Sequence, residues 1–237
     1  MKWMLLLVVI VFNLNCQAQV KPEKVVADFE SDMIYYRKNV TRLSLIVGAG
    51  TVLSFAIDEP IQRYLQNNQN DFADGIAEGA NFFGEKLLIL PAVGLSWGAG
   101  YVLKNDKLRY TSWNAIKSIA VTALSTEMIK ISVGRARPFV NEGSFAYSPF
   151  SNEDQFKSLP SGHVSLAFAA FTPFAESYSR WLYVIPASVA YARMYKNKHW
   201  FSDVVLGGGI GFISGWIFTH HPKSKIQVSS NGIIFYF

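Results

Sequence analysis

The stretch VVLGGGIGFISGW, residues 204–216, carries the pattern that decides the fold of this 237-residue chain. Gly207, Gly211 and Gly215 recur every four residues, so in a helix they lie on one face. Small residues at that spacing let a second backbone come close, which is the usual packing device of membrane helices. In a soluble helix each glycine would cost about 1 kcal/mol relative to alanine. The pattern therefore favours a closely packed membrane helix.

Apolar stretches without charged residues recur along the chain, and their lengths indicate helices and not strands. They cover residues 43–57, 87–103, 118–126, 164–175, 181–192 and 204–219. Each is shorter than the roughly 20 residues that a membrane span needs, although flanking residues can extend the helix. Three of them contain a proline, which membrane helices tolerate better than soluble ones. We expect an all-α fold, a compact bundle of about six transmembrane helices with the functional site at one end.

The N-terminal residues 1–18 have the pattern of a signal peptide, with Lys2 before an apolar run and a small-x-small site at Cys16–Ala18. Two alternatives are an uncleaved anchor and a lipoprotein modified at Cys16, the latter weakened by bulky Asn15. Residues 19–42 then form an amphipathic segment and residues 43–221 the main helical domain. Residues 222–237 form a tail with a small β-hairpin, since Asn231-Gly232 separates two β-prone pieces.

The amino-acid composition excludes several kinds of site and partner for this chain. Hydrophobic residues make up 50% of the chain and charged residues 16%, below the roughly 25% typical of soluble domains. Cys16 is the one cysteine, so a mature chain that begins at Gln19 has no disulfide, thiolate metal site or cysteine nucleophile. The net charge of +5 suits an anionic surface or substrate. The basic residues are scattered, which argues against nucleic acid as a partner.

Two clusters of polar residues lie between the apolar stretches. The first is KISVGRARPF, residues 130–139, where Lys130 and Arg137 would share nearly one face of a helix that continued through both. The second is KSLPSGHVSL, residues 157–166, where Ser161, Gly162 and His163 precede an apolar run. A plain helix cap by Ser161 is the simplest alternative there. The first cluster, taken alone, is better explained as a positive-inside anchor or a solvated helix end.

The third cluster is ARMYKNKHWFSDVV, residues 192–205. His199 and Asp203 are four residues apart, and a helix that begins near Trp200 puts Asp203 in its first turn. From there the carboxylate can accept the Nδ1–H of His199 and fix the ring in one tautomer. Arg193 precedes this pair by six residues.

The order of the segments predicts that the clusters meet. If all six apolar stretches cross a membrane, the three clusters emerge on the same face. Basic residues are more numerous on the opposite face, which predicts that the site faces outward. Arg135 counts in that comparison as one of the basic residues that flank the spans. A cleaved signal with six full spans predicts the reverse, so these two inferences conflict.

Together the clusters resemble the signature of the type 2 phosphatidic acid phosphatase (PAP2) superfamily. The matching patterns are K-x6-R-P from Lys130 to Pro138, P-S-G-H from Pro160 to His163, and R-x5-H-x3-D from Arg193 to Asp203. That superfamily includes membrane lipid phosphatases, soluble bacterial acid phosphatases and vanadium haloperoxidases. The resemblance covers residues 130–203. One position departs, because the family usually has serine where this chain has Ala192.

The resemblance implies a role for each matching residue. His199 would be the nucleophile that forms a phosphohistidine, Asp203 would orient it, and His163 would protonate the leaving oxygen. The remaining matches would hold the phosphoryl oxygens through positive charge and the start of a helix. These phosphate-binding residues are Lys130, Arg137, Ser161, Gly162 and Arg193. No metal or other cofactor is implied.

The implied function is a metal-independent phosphatase of the bacterial cell envelope, with its active site facing the periplasm. Its substrate would be a lipid phosphomonoester or diphosphate, such as phosphatidic acid, phosphatidylglycerol phosphate, a polyprenyl diphosphate or a phosphorylated lipid A. The main alternative is a soluble periplasmic acid phosphatase of broad specificity. A vanadium haloperoxidase and a non-enzymatic membrane scaffold are further alternatives.

Overall fold

The computed structural model describes residues 22–220, 226–229 and 232–235, with side chains from residue 37 to residue 220. The helices are α1 (Pro22–Ser54), α2 (Asp58–Asn67), α3 (Asp71–Phe82), α4 (Lys86–Val102), α5 (Asp106–Val133), α6 (Gly162–Ser177), α7 (Val184–Tyr195) and α8 (Phe201–His220). Residues Lys38–His220 form one compact unit. The predicted all-α class is confirmed. The predicted signal peptide at residues 1–18 lies outside the described residues.

The C-terminal strands β1 (Ile226–Ser229) and β2 (Gly232–Phe235) pair antiparallel, with Ile226 opposite Phe235. Asn231, half of the predicted turn, lies outside the described residues, so the Asn231-Gly232 turn stays a prediction.

Each predicted apolar stretch lies in a helix or overlaps one, but α2 and α3 were not predicted. Both helices carry charged residues, so neither produces an uncharged apolar run. A capping signal does mark the start of α3. The side chain of Asn70 accepts a hydrogen bond from the backbone N–H of Ala73 at 3.0 Å, and Asp71 and Asp74 lie in the first turn.

Helix α6 lies at the centre of the bundle and packs against α5, α7 and α8. Its buried residues Val164, Ala167 and Ala170 contribute to a core that includes Val189 of α7 and Val204 of α8. Most of these side chains are small, so the helices approach closely. The site clusters predicted from the sequence lie where α5, α7 and α8 meet the beginning of α6.

Two segments among the described residues are long and apolar enough to cross a membrane, Arg37–Asn67 and Phe201–His220. Helix α4 is apolar but shorter. The first segment exposes large apolar side chains, and Leu53 is 76% exposed. An exposed apolar surface of this kind is expected where lipid replaces water. None of the other described helices is both long enough and apolar enough to cross a membrane. The two candidate spans are fewer than the six that the apolar stretches suggested.

Candidate active site

Helix α5 ends earlier than the spacing of its basic residues suggested. Gly134 adopts a left-handed conformation, with φ of 60°, and its N–H donates to the carbonyl of Lys130 at 3.0 Å. A Cβ at Gly134 would lie 1.8 Å from the carbonyl oxygen of Ser148, so only glycine fits. Arg137 therefore lies beyond the helix in extended backbone. The expectation that Lys130 and Arg137 share a helix face is wrong, because the chain turns between them.

The turn nevertheless leaves both basic residues beside the start of α6. Lys130 is buried, and its Nζ donates to the carbonyl of Lys157 at 2.5 Å. Its Cε lies 3.6 Å from where a Cβ on Gly162 would be. Arg137 pairs through Nη2 with Oδ1 of Asp154 at 2.9 Å, and Asp154 is largely exposed. Arg137 can therefore exchange this solvent-exposed partner for an anionic ligand.

Ser161 occupies the N-cap position of α6, but its side chain makes no capping hydrogen bond. Its Oγ is buried and has no hydrogen-bond partner among the described residues. Its backbone N–H donates to the carbonyl of Asp203 at 3.0 Å, which joins the start of α6 to the start of α8. A buried hydroxyl without a partner is costly, so this one is suited to a ligand.

Arg193, in the last turn of α7, is also buried. Its Nη1 donates to Oδ1 of Asn81 at 2.6 Å, while its Nε has no partner among the described residues. Arg137 interacts electrostatically with Arg193, with Lys130 and with both site histidines. The site thus combines a concentration of positive charge with a hydrogen-bond donor that has no partner among the described residues. Both features favour the binding of an anion.

His199 lies in the loop between α7 and α8 and is 3% exposed. Its Nδ1 lies 2.9 Å from the carbonyl oxygen of Ser158. Because a carbonyl can only accept, this contact assigns the proton to Nδ1 and leaves the Nε2 lone pair free. Burial lowers the pKa of His199 to about 3, and the positive charge of Lys130 acts in the same direction. The ring is therefore neutral at neutral pH.

Asp203 does not bind His199 in the expected manner. Its Oδ2 is 3.7 Å from Nδ1 of His199, which is longer than a hydrogen bond. The same oxygen accepts from the Oγ of Ser158 at 2.5 Å and from the backbone N–H of Trp200 at 2.8 Å. Ser158 therefore holds both members of the pair, through its carbonyl and its hydroxyl. Asp203 acts on the ring as a nearby negative charge.

Arg135 was expected to be one of the basic residues that flank the spans. In the structure it is instead fully buried. Its Nη1 donates to Oδ1 of Asp203 at 2.7 Å and its Nη2 to Oδ2 of Asp58 at 2.8 Å. Its Nε donates to the carbonyl of Ser144 at 2.9 Å. Ser202 completes the network with bonds from its N–H and Oγ to Asp58. One guanidinium thus fixes the carboxylate beside His199 and ties it to the first turn of α2.

His163 lies in the first turn of α6, and its Nε2 is 3.0 Å from Oε1 of Glu85. Glu85 precedes α4, in a part of the chain without any recognisable motif. Burial lowers the pKa of His163, Arg193 lowers it further, and Glu85 opposes both. The pKa of Glu85 is lowered, chiefly by its hydrogen bond to His163, so its carboxylate is ionised at neutral pH.

Every predicted site residue therefore lies around the start of α6 or in the network attached to it. The predicted residues are Lys130, Arg137, Ser161, Gly162, His163, Arg193, His199 and Asp203. The residues that the sequence did not reveal are Asp58, Asn81, Glu85, Arg135 and Ser158. Their side chains support the predicted ones, and most come from distant parts of the chain. No local pattern marks them.

Comparison with known proteins bears on the same region. The family model described as the PAP2 superfamily matches residues 111–226, which includes every predicted site residue. Lipid A 1-phosphatase of Rhizobium etli is 32% identical over 131 residues, covering 50% of this chain and 55% of that protein. Lipid A 1-phosphatase of Porphyromonas gingivalis is 30% identical over 192 residues, covering 75% of this chain and 38% of that protein. The chain spans about half the length, or less, of the curated relatives it matches.

Two solved structures share the fold. Aquifex aeolicus LpxE aligns with a TM-score of 0.53 at 18% identity, over 68% of this chain and 94% of that one. The first transmembrane PAP2 type phosphatidylglycerolphosphate phosphatase from Bacillus subtilis aligns with a TM-score of 0.54 at 21% identity, over 81% of this chain and 92% of that one. At these identities the likeness concerns the fold alone.

Proposed function

Since residues 111–226 of this chain belong to the PAP2 superfamily, we propose that the protein is a phosphatase that removes a phosphate group from a lipid. The observation that carries the proposal is the setting of His199. This neutral, buried imidazole has its Nδ1 proton committed to a carbonyl and lies among cationic donors. A nucleophile and an anion-binding site in one place are what phosphoryl transfer requires.

Substrate binding rests on three cationic side chains, those of Lys130, Arg137 and Arg193. A phosphomonoester carries up to two negative charges, and these groups neutralise them without a metal ion. The Oγ of Ser161 and the Nε of Arg193, both buried without partners among the described residues, supply further hydrogen bonds. The N-terminus of α6 adds free backbone N–H groups and the positive end of its dipole.

The first chemical step is attack by Nε2 of His199 on phosphorus. The N–P bond forms as the ester P–O bond breaks, and His163 donates its proton to the leaving oxygen. The imidazole becomes positively charged, which the carboxylate of Asp203 at 3.7 Å stabilises. Water then attacks the phosphohistidine, His163 takes up a proton from that water, and inorganic phosphate leaves neutral His199 behind.

A lipid substrate is supported by two observations. The matched relatives are named lipid A 1-phosphatases. In addition, α1 and α4 expose large apolar side chains, among them Leu53 and Leu87, as a membrane protein does. We propose lipid A 1-phosphate and phosphatidylglycerol phosphate as the first two substrates to examine.

Phosphate release tests the proposal. Wild-type protein and its His199→Gln variant would be assayed with EDTA, on each lipid in detergent micelles and on a small soluble phosphomonoester. We expect the wild-type protein to release phosphate from a lipid and the variant to lose this activity, since His199 forms the covalent bond. Comparable release from the soluble ester would favour a broad-specificity acid phosphatase. Folded wild-type protein that releases no phosphate from any of them would contradict the proposal.

We also propose that the protein lies in the bacterial cell envelope with its active site facing the periplasm, as the distribution of basic residues suggests. Single cysteines would replace Glu153, in the loop before α6, and Lys107, at the start of α5. Lys107 lies in the first turn of the 28-residue helix α5 and Glu153 in the loop that follows its last turn, so the two positions are on opposite sides if α5 crosses the membrane. A membrane-impermeant maleimide applied to cells with a permeabilised outer membrane should label Glu153→Cys and not Lys107→Cys. The opposite pattern would place the site in the cytoplasm.

A further inference from the structure

The junction between α3 and α4 contributes a carboxylate to the candidate active site. Glu85 precedes the first residue of α4 in the N-cap position, yet its side chain makes no capping hydrogen bond. Instead, its Oε1 lies 3.0 Å from Nε2 of His163 and accepts a hydrogen bond from Nδ2 of Asn81 at 3.1 Å. Two donors on one oxygen fix the carboxylate against the ring.

Asn81 extends this arrangement to a phosphate-binding residue. Its Oδ1 accepts a hydrogen bond from Nη1 of Arg193 at 2.6 Å. The side chains of Arg193, Asn81, Glu85 and His163 thus form a continuous hydrogen-bonded row. Glu85 and Asn81 come from a part of the chain that contains none of the three sequence clusters.

Close packing at Gly84 makes the contact between Glu85 and His163 possible. A Cβ at Gly84 would lie 2.7 Å from Cγ1 of Val189 and 3.0 Å from Cβ of His163. Any larger residue would therefore push the α3–α4 junction away from α6. The glycine brings the next residue, Glu85, to hydrogen-bonding distance of the imidazole.

The carboxylate of Glu85 opposes the other influences on the protonation of His163. Groups from three elements face the ring, namely Arg193 of α7, Arg137 from the loop after α5, and Glu85. Both arginines and burial favour the neutral ring, whereas Glu85 favours the protonated one. Among the described residues, Glu85 is the carboxylate that forms an ion pair with His163.

We propose that Glu85 is a positioning residue that orients His163 and favours its protonated form, so that the ring can deliver a proton to a poor leaving group. The inference rests on the proposed phosphatase function and deepens it. It also names a substrate class, because a proton donor matters most when the leaving oxygen is an alkoxide. The enzyme is thereby suited to alkyl phosphate esters, in which the departing group is a sugar or glycerol oxygen.

The test compares substrates that differ in their need for a proton. Hydrolysis of phosphatidic acid with short acyl chains expels diacylglycerol as an alkoxide, whereas 4-nitrophenyl phosphate releases a stable phenolate. General acid catalysis typically contributes about 10²- to 10⁴-fold. For Glu85→Gln we expect kcat/KM to fall roughly 10- to 100-fold on phosphatidic acid, and less than about 3-fold on 4-nitrophenyl phosphate, because part of that contribution is lost.

The pH profile provides a second readout that a purely structural role would not change. Activity on phosphatidic acid should fall as pH rises through the pKa of His163, because the acid loses its proton. Removing the Glu85 charge lowers that pKa, so the alkaline limb of kcat/KM should move to lower pH in Glu85→Gln. Glu85→Asp keeps the charge and should restore the limb in part.

A matched control comes from Glu78, an exposed residue of α3 outside this hydrogen-bonded row. Glu78→Gln makes the same change in net charge and should behave as wild type on both substrates. Equal losses on both substrates for Glu85→Gln, or an unmoved alkaline limb, would overturn the role of Glu85 while leaving the phosphatase intact. Wild-type protein inactive on both substrates, and also on lipid A 1-phosphate and phosphatidylglycerol phosphate, would overturn the phosphatase function and this role with it.

Discussion

At the scale of the residue, Ser161 separates two explanations of the P-S-G-H cluster. A serine before a helix usually caps it, and that alone would account for the residue. In the structure, however, the Ser161 hydroxyl makes no capping bond and is buried without a partner among the described residues. A group placed in this way contributes little to the stability of α6 and is available to a phosphoryl oxygen.

Ser161→Ala should therefore affect activity and stability differently. A lost hydrogen bond to a charged ligand should lower kcat/KM roughly 10- to 100-fold. The melting temperature should stay close to that of wild type, because no capping bond is lost. A helix cap would give the opposite result, with activity retained and about 1 kcal/mol of stability lost. Thermal unfolding in detergent and steady-state kinetics on the same preparation distinguish these outcomes.

At the level of single helices, the regularly spaced glycines of α8 let a second backbone come close, as their spacing predicted. A Cβ at Gly211 would lie 2.2 Å from the carbonyl oxygen of Ser165 in α6, and one at Gly207 would lie 2.6 Å from that of Ser161. The two backbones are therefore in direct contact. This contact places Asp203, in the first turn of α8, beside the start of α6.

Gly211→Ala should destabilise the protein, because the added methyl group overlaps a backbone atom that cannot move aside. Overpacking of this kind costs about 1–3 kcal/mol. Gly94→Ala in α4 is the matched control, since a Cβ there meets nothing within 4 Å. That substitution should leave stability unchanged or raise it slightly. The melting temperatures of the two variants in one detergent provide the comparison. Equal stability of Gly211→Ala and wild type would contradict the close packing of α6 and α8.

At the scale of the whole molecule, the sequence predicted local features well and distant partners poorly. Apolar stretches located the principal helices, and three short patterns located residues that the structure brings together around the start of α6. Gly134 shows where local reasoning fails, because the spacing of Lys130 and Arg137 carries no sign that the helix ends between them. Because the helix ends there, Arg135 lies in the interior, where it forms ion pairs with Asp58 and Asp203.

The residues that support the site could not be predicted, for a physical reason. Glu85 lies 78 positions from His163, and Asp58 lies 77 from Arg135. Such pairs form only when tertiary packing brings their helices together, and no periodicity of the chain encodes that. Breaking a buried ion pair by removing one partner costs about 3–5 kcal/mol. The Arg135 network thus links the carboxylate beside His199 to the stability of the whole unit.

The most direct test of His199 as the nucleophile is to trap the enzyme with phosphate bound to this residue. Protein mixed with ³²P-labelled lipid substrate would be quenched in alkaline detergent within milliseconds, since a phosphohistidine survives alkali and is lost in acid. We predict alkali-stable, acid-labile label on wild-type protein and none on His199→Gln. Hydrolysis by wild-type protein without any labelled enzyme, or equal labelling of the variant, would contradict the assignment of His199 as the nucleophile.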